Sequence, residues 1–446
     1  MPDLQAAGST EAFNVLPAAR SYRPFPSFAQ LSAPGAPLSE RCQGAIFARK
    51  SDGTGAVFAG SATKLWRLDG TAWTDASRTI GGPYACPADG MWSFVQFGPS
   101  VYASNGADAM QRFNIDSDAN FSANTGSPPA ASYQCVAGDF LVTANQAAAR
   151  QRVQWSAIND PTASWAASQV TQASSQDLPD GGWIQGILGL EYQCVIFQEF
   201  AIRRAVYEGV PNIFRFSLVT QNLGCTIPGS LAQHRDLMFF CDRSGFYMLQ
   251  GGAAITPIGE QRVNRYFWDE SGFGAGVDQG SLPRVTSAID PVNEVYVLAY
   301  PRAATGMGRP DQWLAYHWPT DRWSHGDFGG QALEMVFSGA TQSALTLEQL
   351  DNVSGSLDAL PFSLDSAVWS GIGHRLVGGF DVNGNLGYFN GPALAATVDT
   401  MEAAPGNGRL VRLRSARPLV DGGGLEAGTA SLRLGVRSRQ MDSWGF

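Results

Sequence analysis

Residues 65–70 read Leu65-Trp66-Arg67-Leu68-Asp69-Gly70, an aromatic strand that ends in a small polar turn. This pattern follows an apolar strand and a short turn, and it recurs at residues 110–114, 153–156, 202–209, 246–251, 313–318 and 386–391. Successive copies start 45, 43, 49, 44, 67 and 73 residues apart. A period of about 40–50 residues with several short strands per unit is typical of a β-propeller blade. We therefore predict an all-β chain, folded as a β-propeller of six or seven blades over residues 41–395.

The two longer intervals are interpreted as loop insertions at residues 303–312 and 339–356. A solenoid fits less well, because its repeats are usually shorter and more uniform. Helical periodicity is scarce, with one clear segment at 345–351 and a weaker one at 259–268. Short strands bounded by Gly, Asn-Gly and Asp-Gly turns dominate the rest of the chain.

Two segments flank the repeats. Residues 1–40 are rich in Pro and Ala and predict an extended N-terminal arm. Residues 396–446 predict a C-terminal extension with two strands, 409–414 and 431–437, in which apolar residues alternate with Arg. Because alternate residues of a strand face opposite sides, one face is predicted to be buried and the other to present guanidinium groups. That second face is either solvated or part of a subunit interface.

The composition limits the possible functions. Hydrophobic residues make up 44% of the 446 residues and charged residues only 15%, which excludes a globally disordered chain. The formal charge of −9 disfavours sequence-independent binding of nucleic acid, which requires a basic surface. We find no secretory signal and no apolar run near the ~20 residues that a membrane-spanning helix needs. We expect synthesis in a reducing cytoplasm and no membrane span.

The residues that commonly carry chemistry are sparse. Six cysteines lie far apart without a C-x-x-C pair and mostly within apolar strands, which predicts reduced core cysteines and neither structural zinc nor a disulfide scaffold. None of the four histidines pairs at i, i+4, and the common hydrolase and P-loop motifs are missing. We therefore predict no catalytic residues, no metal site and no cofactor.

Four turn sequences resemble functional motifs incompletely. Residues 116–120 resemble the start of a calcium loop but lack its Gly and Glu, and 381–385 reads as a tight hairpin turn. Residues 51–58 and 69–73 come close to the Asp boxes of sialidase-type propellers without matching them. These patterns favour propeller turns over an enzyme. With 39 acidic residues, a pair of opposed glycosidase carboxylates stays possible.

The centre of the chain resembles the tail-hub proteins of short-tailed bacteriophages, also called nozzle, DNA-stabilisation or head-completion proteins. The resemblance rests on Asp180-Gly181-Gly182-Trp183-Ile184-Gln185-Gly186-Ile187, then the strand 194–197 and the segment Ile202-Arg203-Arg204. A second block comprises Gly224-Cys225, 228–230, 238–241, 245–249 and 257–259. Residues 153–156 and 159–161 resemble the third unit of that family. The match covers residues 40–395 in pattern and 130–270 in detail.

The resemblance implies a structural virion protein made in the bacterial host cytoplasm. Six copies would form a homo-hexameric ring below the portal and adaptor rings, carry a tail fibre or needle, and seal the packaged genome. Passing DNA would not be bound sequence-specifically. Six copies at −9 each give −54, and an acidic conduit would repel phosphates rather than grip them. The long insertions depart from the family, so the position of the fibre or needle does not transfer.

Five residues are predicted to contact neighbouring subunits: Trp183, Arg203, Arg204, Arg412 and Arg414. Two alternative functions remain. A glycan-binding or glycan-cleaving propeller would place arginines and carboxylates together in the central funnel. A cytoplasmic protein-interaction propeller would expose an apolar rim without six-fold association.

Overall fold

The structure is a computed structural model and describes residues 9–18, 21–31, 37–52, 55–69, 72–268, 276–340, 356, 375–400 and 431–433. Two compact units divide the chain: Glu11–Asp399, and a smaller one formed by Met1–Thr10 with Thr400–Phe446. Four strands precede the first repeat: β1 (Ser9–Phe13), β2 (Val15–Pro17), β3 (Tyr22–Pro24) and β4 (Pro26–Gln30).

Four consecutive antiparallel strands form each of blades 1 to 4, and they pair in chain order. Blade 1 contains β5 (Ala45–Arg49), β6 (Gly55–Gly60), β7 (Leu65–Asp69) and β8 (Ala72–Asp75). Blade 2 contains β9 (Ser93–Phe97), β10 (Ser100–Ser104), β11 (Gln111–Asn114) and β12 (Ser122–Ala123). Blade 3 contains β13 (Ala131–Ala137), β14 (Phe140–Gln146), β15 (Ala149–Trp155) and β16 (Ser174–Asp177). Blade 4 contains β17 (Ile184–Leu190), β18 (Gln193–Gln198), β19 (Ala201–Gly209) and β20 (Ile213–Gln221).

Three further sheets complete the propeller. Blade 5 contains β21 (Ala232–His234), β22 (Leu237–Asp242), β23 (Gly245–Gln250) and β24 (Ala254–Pro257). Blade 6 contains β25 (Thr286–Asp290), β26 (Val295–Tyr300), β27 (Gln312–His317) and β28 (Arg322–Asp327), with β1 and β32 (Thr397–Thr400) added outside β28. Blade 7 contains β29 (Leu333–Ala340), β30 (Arg375–Asp381) and β31 (Leu386–Ala393), and its outer strand is β4. The predicted fold class is confirmed, and the number of blades is seven.

The repeat found in the sequence is the third strand of each blade: β7, β11, β15, β19, β23, β27 and β31. The apolar strand before it is the second, and in β10, β14 and β26 every residue is buried. A second strand has a paired strand on each side and a neighbouring blade on each face, so both of its faces are apolar. The repeat is visible for this reason.

The ring closes through the N-terminal segment. β4 pairs antiparallel with β31, with Ala29 opposite Tyr388 and Phe28 opposite Phe389. Neighbouring innermost strands contact one another, and the contact of β29 with β5 joins the last blade to the first. Residues 26–30 therefore belong to the propeller, and its predicted boundary at residue 41 is corrected. No sequence motif marks β4, because its partner strand lies more than 350 residues away.

Helices are short. The weaker predicted helix at 259–268 contains α1 (Asn264–Phe267), and 3-10 helices cover Pro179–Gly181, Pro228–Ser230, Gln279–Arg284 and Ala303–Thr305. The insertion at 303–312 runs from the last of these to the start of β27. The predicted helix 345–351 and strand 409–414 lie outside the described residues, as does most of 339–356 and of 431–437.

The core consists of apolar layers between adjacent blades. Between blades 3 and 4, Phe140, Trp155 and Phe214 are buried, and the rings of Phe140 and Phe214 meet edge-to-face at 5.2 Å. Polar side chains also join blades: Asn145 Nδ2 donates to the carbonyl of Ile184 (2.6 Å). Since strands alternate in direction, all innermost strands start at one end of the propeller. The turns between second and third strands lie at that same end.

Candidate functional site

Blade 4 holds the three predicted interface residues that the structure describes. Trp183 lies just before β17, and its side chain is 54% exposed. The guanidinium carbon of Arg150 lies 5.2 Å from the centre of the indole ring. The backbone N–H of Trp183 donates to Glu199 Oε2 (3.0 Å). The indole is therefore held at the surface by its backbone and by a cation–π contact.

A second aromatic side chain lies at the same end of blade 4. Phe200, in the turn between β18 and β19, is 64% exposed, and its N–H donates to the carbonyl of Gly181 (3.0 Å). Leu218, near the end of β20, is also exposed. Trp183 and Phe200 near the start of the sheet, together with Leu218 on its outermost strand, are called the blade 4 apolar surface. Trp183, Phe200 and Tyr192 are the exposed aromatic residues among the described residues, and all three lie on blade 4.

Arg203 supports this surface rather than forming part of it. Its side chain is mostly buried, with Nη2 2.5 Å from Asp180 Oδ2 and Nε donating to Gln198 Oε1 (3.1 Å). Gln198 in turn donates to the carbonyls of Leu178 (2.8 Å) and Gly182 (2.9 Å). Arg203 therefore fixes the turn that presents Trp183. Any contribution of Arg203 to an interface is indirect.

Arg204 lies on the opposite face of β19, because successive residues of a strand alternate between faces. Its Cδ approaches Gly252, in the last turn of blade 5. Its Nε is buried and has no hydrogen-bond acceptor among the described residues. Blade 4 therefore does not bring Arg203 and Arg204 together. Arg412 and Arg414 lie outside the described residues.

The outer edge of blade 4 differs from the other outer edges. β20 has nine residues, whereas β8, β16 and β24 have four each and β12 has two. The six-residue β28 is covered by β1. Within the described part of the chain, no strand pairs with the outer side of β20. A long unpaired edge is a surface on which another strand can add.

A cleft lies at the opposite end of blade 4. It has a volume of about 740 Å³ and is bordered by the first turns of blades 3, 4 and 5, including Tyr192, Glu191 and Arg235. Gln233 spans the blade 4–blade 5 contact here, because its Nε2 donates to the carbonyl of Gly189 (2.8 Å). Tyr192 therefore belongs to a different surface from Trp183 and Phe200.

An ionic cluster that the sequence did not indicate lies where blades 6, 7 and 1 meet. The carboxylate of Glu334, 4% exposed on β29, is surrounded by Arg41 Nε (3.1 Å), Arg309 Nε (3.0 Å) and Arg284 Nη1 (3.8 Å). Arg284 Nε is 3.4 Å from Asp89 Oδ1. Burial lowers the pKa of Arg41, and the positive charge of Arg284 lowers it further. We call these five residues the Glu334 cluster.

A histidine relay joins β1 to blade 6. His325 Nε2 lies 3.0 Å from Glu11 Oε1, and His325 Nδ1 lies 3.0 Å from the hydroxyl of Tyr266. Burial lowers the pKa of His325, although the charge of Glu11 opposes the shift. Burial also raises the pKa of Tyr266. The relay holds β1 beside β28, where Phe13 is opposite His325.

The cysteines lie in the core, and the carboxylates of the two calcium-like turns bind backbone N–H groups of their own turns. All six cysteines are buried, and burial raises the pKa of Cys42, Cys86 and Cys225 to about 12. Asp118 accepts the N–H of Asn114 (2.8 Å), and Asp381 accepts that of Asn385 (2.8 Å), so these carboxylates are used by their own turns. The described residues contain no group of three His, Cys, Asp or Glu side chains placed to hold a metal ion.

Comparisons with known proteins give structural neighbours only. No family model and no curated protein matches the sequence. An extracellular domain of a one-component-system protein from B. thetaiotaomicron is similar over 83% of this chain, at 13% identity and a TM-score of 0.48. This chain covers 41% of that structure's length. The Pan2 WD40 domain of Neurospora crassa is similar over 84% of this chain and 98% of its own, at 6% identity and a TM-score of 0.44. Such low similarity carries no information on function.

Membrane insertion through a helix finds no support: in the described ranges, no helix combines the length and the apolar character needed to cross a bilayer.

Proposed function

We propose that this protein is a structural subunit of a ring, the hexameric tail hub of a short-tailed bacteriophage. The observation that carries the proposal is the combination found on blade 4. This blade carries the apolar surface of Trp183, Phe200 and Leu218, and it has the longest outer strand among the described blades. Aromatic side chains that stay exposed on a rigid scaffold are typical of the central contacts of protein interfaces.

The first block of the tail-hub resemblance falls on the same blade, whereas the second block lies before and within blade 5 and residues 153–156 lie on blade 3. Residues 180–187 supply Trp183 and the start of β17, and residues 202–204 lie in β19. Arg203 and Asp180, both within these motifs, form the ion pair that fixes the turn. This first block of the resemblance therefore includes an exposed aromatic residue and the ion pair that holds its turn. In the proposed hub, this surface contacts the neighbouring copy.

The hub would act without chemistry. Its ring would sit below the portal and adaptor rings, carry a fibre or needle, and let the genome pass after a distal plug leaves. The net charge of −9 per copy supports a conduit that does not grip DNA. In this proposal the protein is located in the virion and has no cofactor.

Ring formation tests the proposal. Native mass spectrometry and negative-stain imaging of the protein, alone and with its adaptor ring, should give six-fold rings with a central channel. Replacing Trp183 and Phe200 together by Ala should weaken association by about 2 kcal/mol or more per side chain, because both would be buried in the interface. The control is Ile80→Ala, an exposed apolar residue outside blade 4. Strict monomers in every mixture would refute the hub.

A second candidate is favoured by the Glu334 cluster. A glycan-binding propeller was predicted to bring arginines and carboxylates together in the funnel. The cluster brings arginines and carboxylates together at the starts of three innermost strands, which supports this candidate. A panel of acidic and neutral glycans tests this candidate. The candidate is supported if at least one glycan binds to the wild type and does not bind to Arg309→Gln. It is refuted if no glycan of the panel binds.

A further inference from the structure

The Glu334 cluster gathers residues from three blades at one end of the propeller. Arg41 precedes β5, Arg284 precedes β25, and Glu334 is the second residue of β29. These three strands are the innermost strands of blades 1, 6 and 7, and β29 contacts both β25 and β5. Arg309 reaches the same place from the turn between β26 and β27, which lies at the same end.

The cluster has more positive than negative charge. Three guanidinium groups face two carboxylates, and an Arg side chain does not lose its proton in a protein. Of the two carboxylates, only Glu334 is enclosed. Asp89 is 69% exposed and reaches one arginine at 3.4 Å, so it neutralises the cluster weakly. The five residues therefore have a formal net charge of +1, and Glu334 is the one buried carboxylate that the three guanidinium groups share.

The hydrogen-bonding capacity of the cluster is also unfilled. Arg41 Nη1 donates to the carbonyl of Ala88 (2.7 Å). Arg41 Nε is buried, and its direction toward Glu334 does not satisfy hydrogen-bond geometry. Arg284 and Arg309 each have further N–H groups beyond those aimed at carboxylates. These N–H groups, which have no acceptor in the cluster, can donate hydrogen bonds to the oxygens of an oxyanion.

The open side of the cluster faces solvent. Arg309 is 49% exposed and lies in a turn beside Gly306 and Gly308, which both adopt positive φ angles. Arg284 contacts Asp89 on one side and, on the other, the carboxylate of Glu334 that Arg309 also contacts. An incoming anion could therefore replace Asp89 on Arg284 and bind Arg309 at the same time, while Glu334 holds all three arginines from behind.

We propose that Arg284 and Arg309, backed by Arg41 and positioned by Glu334, bind an oxyanion carried by a small molecule. Carboxylate and phosphate groups share the required chemistry, because each accepts paired N–H bonds from a guanidinium fork. The site is independent of ring assembly, so it stands or falls separately from the proposed hub.

Titration calorimetry at constant ionic strength tests the site with two probes, inorganic phosphate and glucuronate. Saturable binding of phosphate alone would indicate a phosphorylated ligand, and binding of glucuronate alone a carboxylate sugar. Binding of both would indicate a general oxyanion site, and each of these three results supports the proposal. No saturable binding of either probe by the full-length protein overturns it.

Two variants should move the affinity in opposite directions. Arg309→Gln removes a charged donor and should weaken binding about tenfold. Asp89→Asn removes the exposed competing carboxylate and should tighten binding about threefold. The matched control is Arg243→Gln, an exposed arginine on blade 5 away from the cluster. Binding that is unchanged in both variants would place the anion elsewhere and overturn the assignment.

Discussion

The ring is closed without a covalent bond, so substitution of Phe25 should lower the free energy of unfolding more than substitution at most other positions. Phe25 lies between β3 and β4 and is almost fully buried. Its ring stacks on Trp313 of blade 6 at 4.3 Å and meets Phe389 of blade 7 at 5.2 Å. A single side chain thus holds the N-terminal segment to two blades.

The expected loss for Phe25→Ala can be worked out from these contacts. Truncating a buried Phe to Ala costs about 3–5 kcal/mol, because apolar burial is lost and a cavity stays behind. The two ring pairs place this site in the upper part of that range, since such pairs add about 0.5–1.5 kcal/mol each. We expect a loss of about 4–5 kcal/mol in the free energy of unfolding. Phe25→Leu keeps most of the apolar volume but loses both ring pairs, so it should cost about 1–3 kcal/mol, less than the change to Ala.

Urea unfolding followed by the fluorescence of the twelve tryptophans, Trp313 among them, measures this loss. The control is Phe200→Ala, the same change at an exposed Phe, which should alter the free energy of unfolding by no more than about 0.5 kcal/mol. A loss below about 1 kcal/mol for Phe25→Ala would mean that the β4 segment does not stabilise the ring. An equal loss for Phe200→Ala would show that the effect is not specific to the closure.

Two further predictions concern pH and backbone conformation. Burial lowers the pKa of His325 in the folded state, so the free energy of unfolding should fall as the pH drops below about 6.5. The urea midpoints of the wild type at about pH 7.5 and pH 5.5 should therefore differ more than those of His325→Gln. Equal differences in the two proteins would contradict the role of burial. Gly182 has φ +79 and ψ −164, and a Cβ there would lie 3.0 Å from the Cβ of Glu199 and 2.4 Å from the carboxylate oxygen that accepts the N–H of Trp183, so Gly182→Ala should cost about 2–3 kcal/mol. Gly82→Ala, at φ +72 in open space, should cost only about 1 kcal/mol. Similar melting temperatures for the two variants would refute the steric argument.

The sequence predicted the blades well because the fold repeats itself. The second and third strands of each blade are enclosed by the same kind of neighbours seven times, so the same apolar pattern recurs at 65, 110 and 153 and onward. The role of β4 could not be predicted in this way. Its five residues show no strong strand pattern, and its partner comes from the far end of the propeller.

The candidate sites divide along similar lines. Trp183 was predicted from a local motif, and its exposure agrees with an interface role, which ring assembly has yet to test. The different surroundings of Arg203 and Arg204 follow from strand alternation, which was already readable in the sequence. The Glu334 cluster was not predictable, because Arg41 and Glu334 come together only when the last blade meets the first.

The two proposed sites lie on different parts of the ring. The blade 4 apolar surface is three blades away from blades 7 and 1, where the ring closes, and two blades away from blade 6, which contributes Arg284 and Arg309 to the Glu334 cluster. Contacts at blade 4 would involve a sheet whose four strands follow one another in sequence. The pairing of β31 with β4, which closes the ring, would not take part in them. Because distant sites without shared partners act independently, variants of one site serve as controls for the other. A change in assembly caused by Arg309→Gln would therefore point to coupling through the ring itself, most directly through β29, which holds Glu334 against the first blade.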